Sequence, residues 1–145
     1  MRISMGSDHA GYELKEKLKK MLENEGYEIL DRGCYGEESV DYPDYAKLVS
    51  EDILNGLADR GILICGTGIG MSMSANKYKK IRAALCLYPK MAELARKHND
   101  ANILVLGGRL ISPAMAKWIT DTFLKTRFEG GRHAKRVRKM ESLGG

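Results

Sequence analysis

Residues 61–70 read GILICGTGIG, an apolar run that ends in a cysteine and leads into three glycines at alternate positions. A short apolar run followed by such glycines predicts a buried strand that enters a helix through a tight turn. We therefore predict a strand over Gly61–Cys65, a turn over Gly66–Gly70 and a helix that continues to about Lys77. The turn lets the backbone approach a ligand closely, and free N–H groups at a helix start favour negative charge.

Short apolar runs alternate with helical patterns along the rest of the chain. Four further strands are predicted, over Ile3–Ser7, Tyr27–Asp31, Ile81–Leu87 and Ile103–Leu106. Four further helices are predicted, over Tyr12–Glu25, after Pro43, from Pro89 (with Met91, Leu94 and Ala95 on its inner side) and from Pro113. Strands separated by helices, without hairpin signals, are typical of parallel pairing with helices on both faces of the sheet. The sequence thus predicts an α/β fold, a three-layer Rossmann-like sandwich with a five-stranded parallel sheet and a C-terminal helical extension.

The composition is that of one soluble globular domain. The chain has 145 residues, of which 43% are hydrophobic and 30% charged, so disordered and collagen-like classes are excluded. Residues 127–145 carry six basic and two acidic side chains, and hold four of the five net positive charges. We predict a single domain, 1–145, with 127–145 as a basic extension. The apolar stripe of this extension is too narrow to stabilise an isolated helix, so we expect the extension to contact a partner subunit in a homodimer.

The spacing of the cysteines and the lengths of the apolar runs indicate where in the cell the protein is located. Cys34, Cys65 and Cys86 are odd in number and far apart, and no pair has zinc-like spacing, so neither a disulfide framework nor a metal site is expected. The N-terminal residues do not resemble a signal peptide, and no run approaches the ~18 apolar residues of a membrane span. We expect a cytoplasmic protein with reduced thiols and no membrane partner.

Cys65 ends the strand immediately before the glycine turn. A buried cysteine at a strand end is usually an inert small hydrophobe. The alternative is a thiolate base or nucleophile, because neighbouring N–H groups lower the pKa of a thiol. Cys34 and Cys86 lack this setting and are interpreted as structural.

Two short polar motifs contain two of the three histidines. Asp8-His9 follows the first strand, so it either caps the next helix or faces the same crevice as the glycine turn. His98-Asn99 lies between a helix and a strand, where such residues often only cap the helix.

Arg132 and Arg136 are four residues apart, so they share one face of a helix and can converge on one anion. The alternatives are a solvated basic face and nucleic-acid binding; no aromatic side chain except His133 follows Phe128, which disfavours nucleic acid.

The glycine turn fits neither a Walker A loop nor a dinucleotide fingerprint. A nucleotide-binding module of another kind and a turn that binds nothing remain open.

Several motifs taken together are similar to one family. The chain resembles the type B ribose-5-phosphate isomerases, of the ribose/galactose isomerase superfamily, along essentially its whole length. The matching segments are Ser7-Asp8-His9-Ala10-Gly11, Asp41-Tyr42-Pro43, Ile64-Cys65-Gly66-Thr67-Gly68-Ile69-Gly70, Ala75-Asn76-Lys77, His98-Asn99-Asp100-Ala101-Asn102, Gly130-Gly131-Arg132-His133 and Arg136-Val137. The resemblance implies interconversion of ribose 5-phosphate and ribulose 5-phosphate through an enediolate, a step of the pentose phosphate pathway, without metal or organic cofactor.

The resemblance also implies roles for individual residues. Cys65 is expected to be the base that moves a proton between C1 and C2, and His98 the proton donor that opens the sugar ring, with Thr67 and Asp8 assisting. The expected substrate-binding residues are Asp8, His9, Tyr42, Gly66, Thr67, Gly68, Ile69, Gly70, Asn99, Arg109, Arg132 and Arg136. Arg132 and Arg136 are expected to reach the phosphate from the neighbouring subunit, which makes a homodimer with a shared site a requirement for activity.

The sequence leaves the sugar and the final assembly open. Another aldose or an aldose 6-phosphate, such as allose 6-phosphate, is an alternative substrate. A nucleotide-binding module on the same fold is a less favoured alternative. Dimers that pair into tetramers also remain possible.

Overall fold

A parallel sheet forms the centre of the computed structural model, which describes residues 1–144. Its strands are β1 (Arg2–Ser7), β2 (Glu28–Asp31), β3 (Arg60–Cys65), β4 (Ala83–Leu85) and β5 (Ile103–Gly107). The helices are α1 (Tyr12–Asn24), α2 (Tyr42–Leu54), α3 (Ile69–Ala75), α4 (Pro89–Asn99), α5 (Pro113–Lys125) and α6 (Arg132–Glu141). The strands lie in the order β2-β1-β3-β5-β4, and each neighbouring pair is parallel.

Alternate residues of β3 pack against opposite layers of helices. Ile62 and Ile64 belong to the apolar core formed with α1, α4 and α5. Leu63 and Cys65 belong to a second core formed with α2 and α3. Because both faces are covered, β3 is apolar from Gly61 to Cys65 rather than alternating. The predicted three-layer α/β fold with five parallel strands is confirmed.

The element boundaries differ from the predicted ones by one or two residues; helix α3, for example, begins at Ile69, inside the predicted turn over Gly66–Gly70, and ends at Ala75 rather than about Lys77. Helix α2 begins at Tyr42, so Pro43 lies in its first turn, where the missing N–H would have no helical partner in any case. Strand β4, an edge strand that pairs with β5 alone, covers only Ala83–Leu85 and is shorter than the predicted Ile81–Leu87.

The inner side of α4 was partly wrong in the prediction. Leu94 is exposed, whereas Ala92 and Ala95 are buried and Met91 is partly buried. The buried position on α4 that the apolar spacing did not predict is Arg96. Its guanidinium donates to the carbonyls of Thr126 and Ala101. An arginine can occupy a core-facing position when its donors are satisfied in this way, and hydrophobic spacing does not detect it.

The carboxyl ends of β1 and β3 frame a crevice. The chain leaves β1 into α1 on one face of the sheet and leaves β3 into α3 on the other face. In open parallel sheets, ligands bind at such switch points, outside the carboxyl ends of the strands. The loop after β1 and the glycine turn after β3 therefore face each other across the candidate site.

Helix α6 is held on its own chain through its C-terminal end. Glu141 accepts hydrogen bonds from Arg82 Nη1 at 2.8 Å and from the backbone N–H of Lys80 at 2.9 Å. Its carbonyl accepts from Lys79 Nζ at 3.1 Å. Arg132 and Arg136, near the other end of the helix, are exposed. Among residues 1–144, no helix has the length and apolar character needed to cross a bilayer.

We expect Asp52→Ala to lower the free energy of unfolding by about 1–3 kcal/mol. The buried Asp52 accepts from Ser4 Oγ at 2.7 Å and from Arg32 Nε and Nη2 at 2.7 and 2.8 Å, and all three donors lose their acceptor. Urea unfolding at fixed protein concentration measures the change. Glu51→Ala removes the preceding carboxylate, which has no side-chain partner among the described residues, and should cost less than about 0.5 kcal/mol. Equal losses in the two variants would contradict the assignment.

Candidate active site

The Cys65 thiol lies at the carboxyl end of β3 and is only 5% exposed. The backbone N–H of Gly68 points at its sulfur, with a distance of 3.2 Å between the two heavy atoms. The turn thus directs a hydrogen-bond donor at the Cys65 sulfur. Gly68 has a φ of +83°, and a Cβ there would lie 2.5 Å from Leu85 Cδ1. Only glycine allows the turn to fold tightly enough to deliver this N–H.

Two further backbone donors of the turn remain open. Within residues 1–144, no acceptor takes the N–H groups of Gly66 and Thr67. The Thr67 hydroxyl accepts the N–H of Ile69 at 3.2 Å and so fixes the turn's shape. Unpaired N–H groups beside a thiol can bind an oxyanion that forms during proton abstraction.

The loop after β1 brings a carboxylate and an imidazole to the same edge of the sheet. Asp8 is buried, and its Oδ1 accepts the N–H of Gly11 at 3.0 Å, while its Oδ2 has no partner among the described residues. His9 Nδ1 accepts the N–H of Val40 at 3.2 Å. That bond places the proton of a neutral His9 on Nε2.

Tyr42 and Arg109 lie directly against the glycine turn. A Cβ at Gly70 would be 2.6 Å from the Tyr42 ring, and a Cβ at Gly66 would be 3.3 Å from Arg109 Nη1. The first group of expected residues is therefore assembled within one chain. We call it the thiol cluster; it comprises Asp8, His9, Tyr42, Cys65, Gly66, Thr67, Gly68, Ile69, Gly70 and Arg109.

The remaining expected residues lie at the other end of the sheet. His98 and Asn99 end α4, and the carbonyl of Asn102, just beyond, accepts the N–H of Gly61 near the amino end of β3. β3 has six residues and so spans about 20 Å. One chain therefore does not bring His98 and Asn99 to the Cys65 thiol.

A second group forms around His98. His98, Asn99 and Arg136 line one cavity of about 270 Å³. Arg132 lies one turn before Arg136 on α6 and is exposed. We call this group the imidazole cluster; it comprises His98, Asn99, Glu129, Arg132, His133 and Arg136.

Glu129 and His133 were not assigned a role from the sequence. The His98 and His133 rings are stacked, with centroids 4.2 Å apart and 12° between their planes. Glu129 Oε1 lies 3.6 Å from His98 Nε2. Desolvation, and then the neighbouring His98 and Arg132, lower the pKa of His133. Gly130 and Gly131, which have positive φ values, were the only sequence signal of a chain reversal at this point. That reversal brings both Glu129 and His133 to His98.

These side chains also form the one candidate metal cluster within the described residues. The ligand atoms of His98, Glu129 and His133 lie within 4.8 Å of one another. Imidazole lone pairs lie in the ring plane, so two stacked parallel rings do not point them at one ion. Arg132 and Arg136 add positive charge nearby, which further disfavours a cation.

Cys34 and Cys86 lie in settings that do not activate a thiol. Burial raises the pKa of Cys86 to about 12. Cys34 is buried and donates to the carbonyl of Gly36, with 3.3 Å between sulfur and oxygen. Of the three cysteines, only Cys65 is held beside an inward-pointing N–H of a glycine turn.

Known proteins and solved structures are similar to this chain along nearly its whole length. The family model described as Ribose/Galactose Isomerase matches residues 3–140. The chain is 43% identical to ribose-5-phosphate isomerase B of Escherichia coli over 142 residues, 98% of this chain and 95% of that protein. It is 61% identical to a ribose 5-phosphate isomerase from Thermotoga maritima, whose crystal structure gives a TM-score of 0.97 with 98% of each chain covered.

A further solved relative contains a sugar phosphate. It is ribose-5-phosphate isomerase B from Mycoplasma genitalium with bound ribulose-5-phosphate, 43% identical, with a TM-score of 0.91 and 97% of this chain and 93% of that one covered. Family match, sequence identity and fold extend over nearly the whole length. The chain therefore belongs to the ribose/galactose isomerase family.

Proposed function

We propose that this protein is an aldose–ketose isomerase that interconverts ribose 5-phosphate and ribulose 5-phosphate through an enediolate. The observation that carries the proposal is the Cys65 thiol beside the open N–H groups of the glycine turn. It is supported by a relative of 43% identity that binds ribulose-5-phosphate in its crystal structure.

The proton transfer uses the thiol cluster. In the direction from aldose to ketose, the Cys65 thiolate removes the proton on C2, and the electron pair moves to the carbonyl oxygen on C1. The open N–H groups of Gly66 and Thr67 stabilise the oxygen that becomes negative, and one such donor is typically worth ~2.7–4 kcal/mol of barrier. The thiol then returns a proton to C1, while the proton of the hydroxyl on C2 passes to the negative oxygen on C1, so that C2 becomes the carbonyl and C1 carries the hydroxyl.

A cyclic aldose needs a separate ring-opening step. His98 gives a proton to the ring oxygen as the bond from that oxygen to C1 breaks. The anomeric hydroxyl loses its proton to Asp8, whose Oδ2 is unpaired among the described residues. Both groups return to their starting states by exchange with water. Tyr42 and His9 line the sugar, and Asn99 assists in holding the oxyanion.

The shared site requires two copies of the chain. The thiol cluster and the imidazole cluster lie at opposite ends of the sheet, yet the reaction needs both. In an isologous dimer, the thiol cluster of one protomer meets the imidazole cluster of its partner, and the reverse contact forms as well. Exposed apolar side chains around the thiol cluster support an interface there; they are Ile69, Met73, Leu87, Tyr88 and Leu110.

The basic extension acts as the phosphate site within a single domain, 1–145. Arg132 and Arg136 are exposed on α6 and carry their guanidinium groups toward the partner's sugar. Arg109, beside Gly66, approaches the same substrate from the protomer that supplies Cys65. The enzyme acts without a metal or organic cofactor, in the cytoplasm, as one step of the pentose phosphate pathway.

We expect Cys65→Ser to lower kcat for ribose 5-phosphate at least about a hundredfold, because an uncharged hydroxyl is a far weaker base than a thiolate. Conversion is followed by proton NMR, together with deuterium exchange at C1 of ribulose 5-phosphate. Cys86→Ser is the matched control, since burial keeps the pKa of Cys86 at about 12 and its thiol uncharged. Activity retained in Cys65→Ser would remove Cys65 from the mechanism.

A mixture of two inactive variants should regain activity if the site is shared. Cys65→Ala and His98→Asn are each inactive as homodimers, but a mixed dimer contains one site with both residues intact. Random pairing makes half of the dimers mixed, so about a quarter of the wild-type activity is expected. Coexpression with two affinity tags gives the mixed dimers for assay. Isolated mixed dimers without activity would show that the site is not shared.

Arg136→Gln should raise KM for ribose 5-phosphate by roughly 10- to 100-fold, because a charge-assisted hydrogen bond to the phosphate is lost. Any turnover of free ribose should be unchanged. Lys125→Gln removes one exposed positive charge from α5 and serves as the control. A panel of aldose phosphates, with allose 6-phosphate included, measured on the same variants identifies the preferred sugar. Equal effects on free and phosphorylated sugars would contradict a phosphate contact.

A further inference from the structure

Two glycines reverse the chain around His98. Gly130 and Gly131 have φ values of +70° and +56°, in the region that side chains rarely adopt. Before the reversal, the N–H of Glu129 donates to the carbonyl of Lys97 at 3.1 Å, which holds Glu129 at the last turn of α4. After it, His133 lies in the first turn of α6 and stacks on His98. The backbone therefore brings two ionisable side chains to one imidazole.

Glu129 is placed to orient the His98 ring. Its Oε1 lies 3.6 Å from Nε2, an ion-pair distance slightly longer than a hydrogen bond. A carboxylate only accepts, so this contact favours a proton on Nε2 and leaves Nδ1 as the nitrogen that exchanges a proton with a ligand. Catalytic hydrogen bonds are often long before substrate binds and shorten in the complex.

The other charged side chains near His98 are positive. Arg132 and Arg136 on α6 carry positive charge on the same side. His133 is 7% exposed, and its pKa is lowered, so it stays neutral near pH 7 and supplies a flat face without charge. Glu129 is thus the one negative side chain that faces His98 within the described part of the chain, and without it the imidazolium would have only like charges nearby.

We propose that Glu129 is a positioning residue for ring opening: it holds the His98 imidazole by Nε2 and compensates its positive charge, while stacked His133 fixes the plane of the ring. The inference rests on the proposed isomerase function and adds to it a residue that prepares the proton donor. In the step that it serves, the bond from the ring oxygen to C1 breaks and the ring oxygen takes the proton from His98 Nδ1. Glu129 itself exchanges no proton.

Glu129→Gln tests the proposal in the full-length enzyme, because it keeps the shape and removes the charge. Turnover of ribose 5-phosphate, which must be opened, should fall at least about tenfold. Deuterium exchange from solvent into C1 of ribulose 5-phosphate should stay within about twofold. This exchange needs only the enediolate step, since a ketose whose O5 carries phosphate has no hydroxyl for a five-membered ring. The ratio of the two rates does not depend on the fraction of active protein.

The pH profile supplies a second readout. In Glu129→Gln, the limb on which ribose 5-phosphate turnover falls with rising pH should move to lower pH, because the charged imidazole has lost its counter-charge. Glu129→Asp restores the charge and should move the limb back toward the wild-type position. Glu93→Gln makes the same chemical change on α4, where the carboxylate pairs with Lys90 and Lys97, and should leave the ratio and the limb unchanged.

The outcomes separate this inference from the proposed function. Equal losses of turnover and exchange in Glu129→Gln would mean that the carboxylate only supports the fold of the segment, and an unchanged ratio and limb would mean that it does not act on His98. Either result overturns the positioning role while the wild type still interconverts the two sugars. A wild type without sugar-phosphate isomerisation would instead defeat the proposed function.

Discussion

The close approach of three loops at the carboxyl edge of the sheet is the constraint on which the site depends. A Cβ at Gly11 would lie 2.4 Å from the carbonyl oxygen of Ile64, and one at Gly107 would lie 2.7 Å from that of Thr67. Glycine at these positions lets the loops after β1, β3 and β5 pack backbone against backbone. The turn after β3 is then compressed enough that one of its N–H groups bonds the Cys65 sulfur and others stay open.

The direction of α4 determines which groups that edge does not receive. A helix that connects two parallel strands must run back along the sheet, so the C-terminal end of α4 lies beside the amino ends of the strands. His98 is carried there with it, about a strand's length from Cys65. A base and a ring-opening acid separated in this way act on one sugar only when two protomers combine, which is the physical basis of the proposed shared site.

The charged side chains of the C-terminal segment 127–145 differ in what they contact. At its end, Glu141 bonds Arg82 and the backbone of Lys80 and holds α6 in place. At its start, Glu129 faces His98, and the arginines between the two acidic residues remain exposed. One acidic side chain therefore holds α6 in place and the other faces His98, whereas the exposed arginines of α6 are accessible to an anion.

The sequence by itself determined the layered α/β fold, the glycine turn and the thiol beside it. A strand-long apolar run such as 61–65, bounded by glycines at alternate positions, is a local pattern that predicts a buried strand and a tight turn without knowledge of tertiary contacts. Only the tertiary structure decided that Arg96 lies inside the core, that Leu94 lies outside it, and that His98 is flanked by Glu129 and His133. These contacts depend on where a reversed chain meets the end of a distant helix, and the spacing of residues along the sequence does not encode that meeting.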